Sequence, residues 1–227
     1  MQLSILEQKI GYIFREKDLL REALTHRSYL NENSSWGLPT NERLEFLGDA
    51  VIELIVTEEL FLRFPTKPEG ELTPIRSALV NYQMMAKVAG SIGLGDFVLL
   101  SRGEAKDTGR AREVILANAL EAVIGAVYLD GGYAPAKLLV KAILLERLDE
   151  VMRMGLYRDA KSVLQEKIQE KLKITPTYRV LEESGPDHQK LFSVGVYFGE
   201  KLAASGNGPS KQDAEVEAAK AALEQIK

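Results

Sequence analysis

Cysteine is absent from this chain of 227 residues. Its absence excludes disulfide scaffolds, thiolate zinc sites and cysteine nucleophiles, and it fits a reducing compartment. We expect that no apolar run reaches membrane-spanning length, and Met1 to Ser4 lack the basic start of a secretory signal. We therefore expect a cytoplasmic protein with no membrane partner.

An excess of basic residues is also lacking, since 29 lysines and arginines stand against 33 aspartates and glutamates, a net charge of −4. Nucleic-acid-binding domains usually carry an excess of Lys and Arg, so this balance alone argues against a nucleic-acid partner. The charge is unevenly distributed. Residues 158–227 hold 11 basic and 11 acidic residues, so the whole acidic excess lies in the preceding part of the chain.

Residues 1–154 show a helical pattern almost throughout. Apolar residues recur at helical spacing, as in the segments 44–54 and 119–126, and few stretches alternate with the period of two typical of a strand. Asn41 is placed to begin one helix, and Gly132 to end another. This part of the chain predicts an all-α domain.

Residues 158–227 show a different pattern. A first helix is followed by strand-like runs at 177–183, 190–198 and 201–205. The glycines of 206–208 come next, and an alanine-lined helix starts at Ser210. The order α-β-β-β-α is that of a compact α+β module. The sequence therefore predicts an all-α domain followed by a small α+β domain.

Three carboxylates lie on one side of the helix that begins near Asn41. Glu42, Glu45 and Asp49 are spaced i, i+3 and i+7, and their mutual repulsion costs a few tenths of a kcal/mol per pair. A solvated acidic face is one interpretation of such a trio. Gly48 in mid-helix costs about 1 kcal/mol relative to alanine, which favours a close approach of another element instead.

A second polar pair interrupts an apolar helix, where Asn118 and Glu121 are the polar residues of the segment 115–126. A buried, unpaired carboxylate is costly, so Glu121 requires a cation, a proton or a hydrogen-bond partner. If the two helices pack together, Glu45, Asp49 and this pair form an oxygen-only cluster. Such a cluster suits Mg²⁺ and argues against zinc.

The segment Asn41–Ala50 closely resembles the signature of the ribonuclease III family. The segments 24–28, 76–81 and 121–130 are similar to the same family, and residues 158–227 resemble the double-stranded-RNA-binding domain of its bacterial members. The resemblance implies a homodimeric endonuclease that uses Mg²⁺, with Mn²⁺ as a possible substitute. It implies cleavage of both strands of duplex RNA, with 5′-phosphate and 3′-hydroxyl ends, and a role in processing ribosomal RNA precursors and other structured transcripts.

The resemblance also implies roles for individual residues. The implied metal ligands are Glu45, Asp49, Asn118 and Glu121. Asp49 and Glu121 are implied to be catalytic, together with Glu42 on the substrate side of the site. Phe46 matches an aromatic residue that packs into the partner subunit, although an ordinary core phenylalanine is the alternative.

Asn118 departs from the family pattern, which most often has an aspartate as the fourth metal-site residue. Asparagine offers a carbonyl oxygen but no negative charge, so we expect weaker binding of a divalent ion. The departure also leaves open a protein of another class, a non-cleaving regulator that binds double-stranded RNA.

The resemblance of the C-terminal part implies three groups of RNA contacts. The residues concerned are Ser162, Gln165 and Gln169 on the first helix, opposite an apolar stripe ending at Leu172, then Pro186 and His188 in a loop, and Ser210 and Lys211 at the start of the last helix. Double-stranded RNA is read by shape, through 2′-hydroxyl and phosphate contacts. The family often has several lysines near Lys211 where this chain has one, so we expect weaker phosphate binding.

Some conspicuous residues carry less functional weight. His26 is interpreted as a hydrogen-bonded structural residue, and Trp36 as either a packing anchor or a substrate contact. The segment 206–211 lacks the spacing of a phosphate-binding loop, so no nucleotide cofactor is expected. Glu182 and Glu183 are interpreted as part of a solvated strand edge.

Overall fold

The computed structural model describes residues 3–155, 157, 160–186 and 190–226. By its contacts the chain divides into two compact units, Met1–Tyr157 and Arg158–Lys227.

The first unit is helical. Short 3-10 turns lie at Leu94–Asp96, Glu104–Lys106 and Leu145–Arg147. The helices are α1 (Leu3–Ile10), α2 (Lys17–Ala23), α3 (Arg27–Glu32), α4 (Glu42–Arg63), α5 (Glu69–Val80), α6 (Tyr82–Ser91), α7 (Arg110–Gly131), α8 (Tyr133–Ile143) and α9 (Leu148–Met154).

Helix α7 forms the centre of this unit and packs against α2, α4, α6 and α8. By length and composition it is also apolar enough to cross a membrane, which corrects the expectation that no run reaches that length. Of its most apolar window, 56% is buried within the protein. The burial accounts for the composition, because a helix surrounded by neighbours is apolar on most of its faces.

The predicted start of α4 and the predicted end of α7 are confirmed, although Asn41 does not act as the helix cap that its residue type suggests. Gly132 ends α7 with a φ of 84°, a conformation that favours glycine. Asn41 precedes α4 but its side chain does not cap that helix. Its Nδ2 atom donates instead to the carbonyl oxygen of Ala23 at 3.4 Å. Its backbone N–H donates to the carbonyl oxygen of Thr25 at 2.9 Å. Asn41 is buried because it joins α4 to the end of α2.

The second unit consists of a three-stranded sheet and two helices. The strands are antiparallel in the order β1-β2-β3, and the core lies between the sheet and the helices. The elements are α10 (Ala160–Leu172), β1 (Thr177–Ser184), β2 (Leu191–Phe198), β3 (Lys201–Gly208) and α11 (Lys211–Gln225). An all-α domain followed by a small α+β domain is thus confirmed as the fold.

Strand β3 is longer than predicted. Gly206 and Gly208 also belong to the strand. A Cβ atom at either position would lie within 3.0 Å of the backbone of α11, so these glycines allow the helix to pack closely on the strand. The apolar stripe of α10 is shorter than predicted, since Leu164 and Ile168 are buried but Leu172 is 53% exposed.

Candidate active site

The site is organised by the crossing of α4 and α7. Gly48 of α4 lies against the backbone of Glu121, and a Cβ atom there would approach the Glu121 carbonyl oxygen far inside 3.0 Å. Gly125 of α7 lies in the same way against the backbone of Leu44 and Gly48. The close approach predicted from Gly48 is therefore confirmed, and it brings the two polar clusters together.

Burial and mutual repulsion shape the electrostatics of this crossing. Glu45, Asn118 and Glu121 are half-buried, whereas Glu42 and Asp49 are exposed. Burial, together with the negative charges of Asp49 and Glu45, raises the pKa of Glu121 from its ordinary value of 4.5 to about 8. A carboxyl group in this position is stabilised in its charged form by a cation.

Asn118 contacts the same cluster through Glu45. Burial and the charge of Glu42 raise the pKa of Glu45, while a hydrogen bond from Asn118 acts in the opposite direction. Because that bond stabilises the carboxylate, the Asn118 amide is its donor, and the Asn118 carbonyl oxygen remains available as an acceptor. Within the described part of the chain, no three histidine, aspartate or glutamate side chains converge tightly enough to hold an ion by themselves.

A surface cavity of about 750 Å³ opens beside the crossing. Glu42, Glu45 and Asn118 are among its lining residues, and Asp49 and Glu121 are not. Glu42 accepts a hydrogen bond from the Thr40 hydroxyl at 3.0 Å. The bond orients one of the candidate catalytic carboxylates at the edge of an open cavity.

Two arginines in this cavity were not predicted from the sequence. A guanidinium nitrogen of Arg27 lies 3.9 Å from Glu42 Oε1, and the guanidinium of Arg110 lies 5.4 Å from the ring centroid of Tyr82. Both line the cavity, and their charge suits a polyanion. Arg27 begins α3 and Arg110 begins α7. Because the two are far apart in the sequence, no sequence motif links them, and only helix packing places them near the carboxylates.

The structure gives both His26 and Trp36 contacts within the protein. His26 precedes α3, its Nδ1 atom lies 2.8 Å from the Ser28 hydroxyl, and burial lowers its pKa. Trp36 donates from Nε1 to the Thr25 hydroxyl at 3.2 Å and packs edge-on against Tyr29 at 5.4 Å. The histidine caps a helix as a hydrogen-bonded structural residue, and the tryptophan is anchored by packing, while a contact of Trp36 with substrate stays a prediction.

Phe46 is not an ordinary core residue. Its side chain is 82% exposed, although it lies on the same helix as the buried Gly48. Beside it is a surface hollow whose lining includes Leu19, Leu47 and Leu129. An exposed aromatic side chain next to an apolar hollow is typical of an interaction surface.

In the second unit, the predicted RNA-contacting residues of α10 share an exposed face. Ser162, Gln165 and Gln169 are exposed, while Leu164 and Ile168 on the opposite face are buried in the core. These polar side chains therefore lie on the surface of the domain, and their role in RNA binding stays a prediction.

The other predicted RNA contacts belong to the loop after β1 and to the start of α11. Pro186 is exposed in the loop after β1, and His188 lies outside the described residues. Ser210 caps α11 by accepting from the backbone N–H of Asp213 at 3.1 Å, as predicted. Lys211 is exposed, and its ammonium group forms an ion pair with Glu183 at a distance of 2.8 Å. Glu183 is exposed on the edge strand β1, as predicted, and it is also the ion-pair partner of Lys211.

Both units match known families. Residues 16–148 match the ribonuclease-III-like family, and residues 160–226 match the double-stranded RNA binding motif. The chain is 45% identical over 226 residues to Ribonuclease 3 of Myxococcus xanthus, covering 100% of this chain and 87% of that protein. It is 44% identical over 226 residues to Ribonuclease 3 of a Nitratiruptor species, covering 100% of this chain and 97% of that protein.

The helical unit also resembles a solved structure. The nuclease domain of ribonuclease III from Campylobacter jejuni is 44% identical, with a TM-score of 0.56, and the match covers 66% of this chain and 96% of that one. That work concerns structural flexibility in a region involved in dimer formation. None of these relatives supports the alternative of a non-cleaving RNA binder. This chain belongs to the ribonuclease III family and is an endoribonuclease that acts on double-stranded RNA.

Proposed function

We propose that this endoribonuclease hydrolyses both strands of duplex RNA with the help of Mg²⁺, leaving 5′-phosphate and 3′-hydroxyl ends. The observation that carries the proposal is the crossing at Gly48, which assembles the side chains of Glu45, Asn118 and Glu121 beside Asp49. Each of these side chains can offer an oxygen atom as a metal ligand, and Mg²⁺ prefers oxygen ligands.

The residues present fit a bound Mg²⁺ ion. Glu45, Asp49, Asn118 and Glu121 would hold it, and it would activate water and stabilise the charge that develops on the phosphate. Mg²⁺ usually takes only one or two protein carboxylates and completes its shell with water and substrate phosphate. Carboxylates that do not converge closely, together with one amide oxygen, suit this coordination better than a site in which the protein supplies every ligand.

The protein's own groups have distinct tasks in this proposal. Glu42, oriented by Thr40 at the edge of the cavity, assists on the substrate side. Arg27 and Arg110 bind backbone phosphates next to the carboxylates. A hydrogen bond from Asn118 favours the charged form of Glu45, against the larger opposing effects of burial and of Glu42. The scissile phosphate is thereby held against the polar side of the helix crossing.

The experiment for metal use is cleavage of a long, end-labelled duplex RNA in Mg²⁺, in Mn²⁺ and in excess chelator. We expect products with 5′-phosphate and 3′-hydroxyl ends in either metal and none in chelator. Cleavage that continues in chelator would contradict the metal-dependent mechanism.

We expect Asn118→Asp to lower the Mg²⁺ concentration needed for half-maximal cleavage by roughly tenfold. The aspartate adds a negative charge to the cluster, and changes of this kind at a metal site alter affinity by about 10- to 100-fold. Titration of Mg²⁺ against the cleavage rate measures the effect, with Asn81→Asp, outside the site, as the control. Superimposed curves for the wild type and Asn118→Asp would show that residue 118 does not set the metal requirement.

The enzyme is proposed to work as a homodimer through the surface around Phe46. The exposed phenylalanine lies beside a hollow that is lined in part by leucines, so two copies related by a twofold axis can each place this aromatic side chain in the other's hollow. Burial of both aromatic side chains then stabilises the pair.

Phe46→Ala is expected to weaken the dimer at least tenfold, because buried aromatic anchors are typical interface hot spots. Sedimentation velocity over a concentration series measures the dissociation constant. Phe61→Ala is the matched control, since Phe61 lies on the same helix and is 69% exposed but does not line this hollow. Equal dissociation constants for the two variants would place the interface elsewhere.

The cellular role that we propose follows from the substrate. We place the enzyme in the cytoplasm, where it processes ribosomal RNA precursors and other structured transcripts, including messenger RNA, without a membrane partner or nucleotide cofactor. A cysteine-free chain fits that reducing compartment.

A further inference from the structure

Two groups hold the ammonium of Lys211 in the second unit. Its Nζ atom lies 2.8 Å from Glu183 Oε1 and 5.5 Å from the ring centroid of Phe192. Glu183 and Phe192 are directly opposed in the register of β1 and β2. The sheet therefore fixes both contact groups, and the start of α11 brings the lysine to them.

The ion pair is open to a ligand. The side chains of Lys211 and Glu183 are 56% and 42% exposed, so RNA can reach both. The hydrogen bond from Lys211, with a smaller contribution from Lys190, lowers the pKa of Glu183. At neutral pH the carboxylate is thus charged and lies where a phosphate would approach the lysine.

Lys211 has no substitute nearby in the sequence. It is the one lysine or arginine between Lys201 and Lys220, and the first turn of α11 also carries Asp213. Neutralising this lysine removes most of the positive charge that the start of α11 can offer to an anion. Residues 158–227 carry no excess of basic over acidic residues, so each such cation matters more for binding an anion.

We infer that Glu183 is an intramolecular competitor for the RNA phosphate at Lys211, and that it restrains the affinity of this domain for duplex RNA. The inference rests on the duplex-RNA binding in the proposed function and on the prediction, implied by the family resemblance, that Lys211 contacts an RNA phosphate. When RNA binds, the phosphate either displaces the carboxylate or remains beside it. Displacement breaks an exposed ion pair, and coexistence places two negative charges about 6 Å apart in water. Both lower the affinity by about two- to fivefold.

The test compares Glu183→Gln with Glu182→Gln in the full-length protein. Both variants lose one negative charge from the same strand, but none of the described cations lies within 4.0 Å of the Glu182 carboxylate. Binding is measured in chelator, so that the RNA is not cut, with a perfect duplex longer than the roughly 16 base pairs that one such domain spans. Thermal unfolding of each variant verifies the fold.

We expect Glu183→Gln to bind the duplex about threefold more tightly than Glu182→Gln. The slope of log K against log salt concentration should become steeper by up to about one, because Lys211 then neutralises a phosphate in place of a carboxylate. Equal affinities for the two variants would overturn the inference. Weaker binding by Glu183→Gln would also overturn it, because Glu183 would then position Lys211 for RNA.

A second comparison separates this inference from the proposed function. Lys211→Gln should weaken binding, and in that background Glu183→Gln should have no more effect than Glu182→Gln. If Lys211→Gln leaves the affinity unchanged, the proposed phosphate contact is wrong and the competitor role fails with it. If Lys211→Gln weakens binding but Glu183→Gln equals Glu182→Gln, only the competitor role is wrong.

Discussion

Gly48→Ala should destabilise the helical unit by about 3 kcal/mol or more and abolish most of the nuclease activity. The added methyl group would meet the Glu121 carbonyl oxygen well inside 3.0 Å, and backbone atoms have no other rotamer to adopt. Overpacking in a close-packed core costs about 1–3 kcal/mol and sometimes more. The gain of about 1 kcal/mol in helix propensity offsets only part of that cost.

The loss of activity has a separate cause, because relief of the clash requires α4 and α7 to move apart. That movement would shift Glu121 away from Glu45 and Asp49, and a misplacement of about 1 Å in a catalytic site can cost about 100-fold in rate. Denaturant unfolding and single-turnover cleavage measure the two effects.

Gly90→Ala is the matched control for Gly48→Ala. Gly90 also lies in a helix, α6, but an added Cβ atom would meet nothing within 4 Å. This variant should be as stable as the wild type or up to about 1 kcal/mol more stable. If Gly48→Ala behaves in the same way, the two helices do not cross as closely as described.

Glu121→Gln should reduce the cleavage rate by about a thousandfold or more while leaving the fold and RNA binding intact. The glutamine keeps the shape of the side chain but loses the charge proposed to bind the metal. Metal stabilisation of the transition state is worth several kcal/mol, and each 1.36 kcal/mol corresponds to a factor of ten. Because the pKa of Glu121 is raised to about 8, its carboxyl is mostly neutral at neutral pH without a cation, and a neutral glutamine in its place should not lower the free energy of unfolding.

Single-turnover cleavage of duplex RNA at saturating Mg²⁺ measures the effect of Glu121→Gln, and binding in chelator measures the affinity. Glu113→Gln, an exposed position on the same helix outside the site, is the control and should cleave at the wild-type rate. A rate for Glu121→Gln within tenfold of the wild type would contradict a role for Glu121 in holding the metal.

Much of the candidate site was predictable from spacing. The positions of Glu42, Glu45 and Asp49 on one side of a helix follow from helical geometry alone. Gly48 added the information that another element approaches, because glycine in mid-helix is costly unless something requires it. The identity of that element was only a hypothesis, since no local pattern specifies which two helices cross.

Other features were mispredicted because tertiary packing overrides local signals. The third strand was predicted to end at Ser205, before the glycines of 206–208, yet this segment continues β3 because α11 needs the space that a side chain would occupy. Asn41 was placed correctly at a helix start, but its side chain bonds to Ala23 instead of capping the helix. In both cases a contact distant in sequence was stronger than the local preference.

The sequence by itself determined the order of the elements and the chemistry of the site, because hydrophobic periodicity and residue type are local properties. It specified an oxygen-only set of side chains and an acidic balance confined to the first part of the chain. Only the tertiary structure decided how charges are paired and exposed. Glu121 is held near two other carboxylates, Phe46 points to solvent, and Lys211 is occupied by Glu183. The physical reason is that electrostatic effects depend on distance and burial, which helix crossings and strand register set between residues far apart in the sequence.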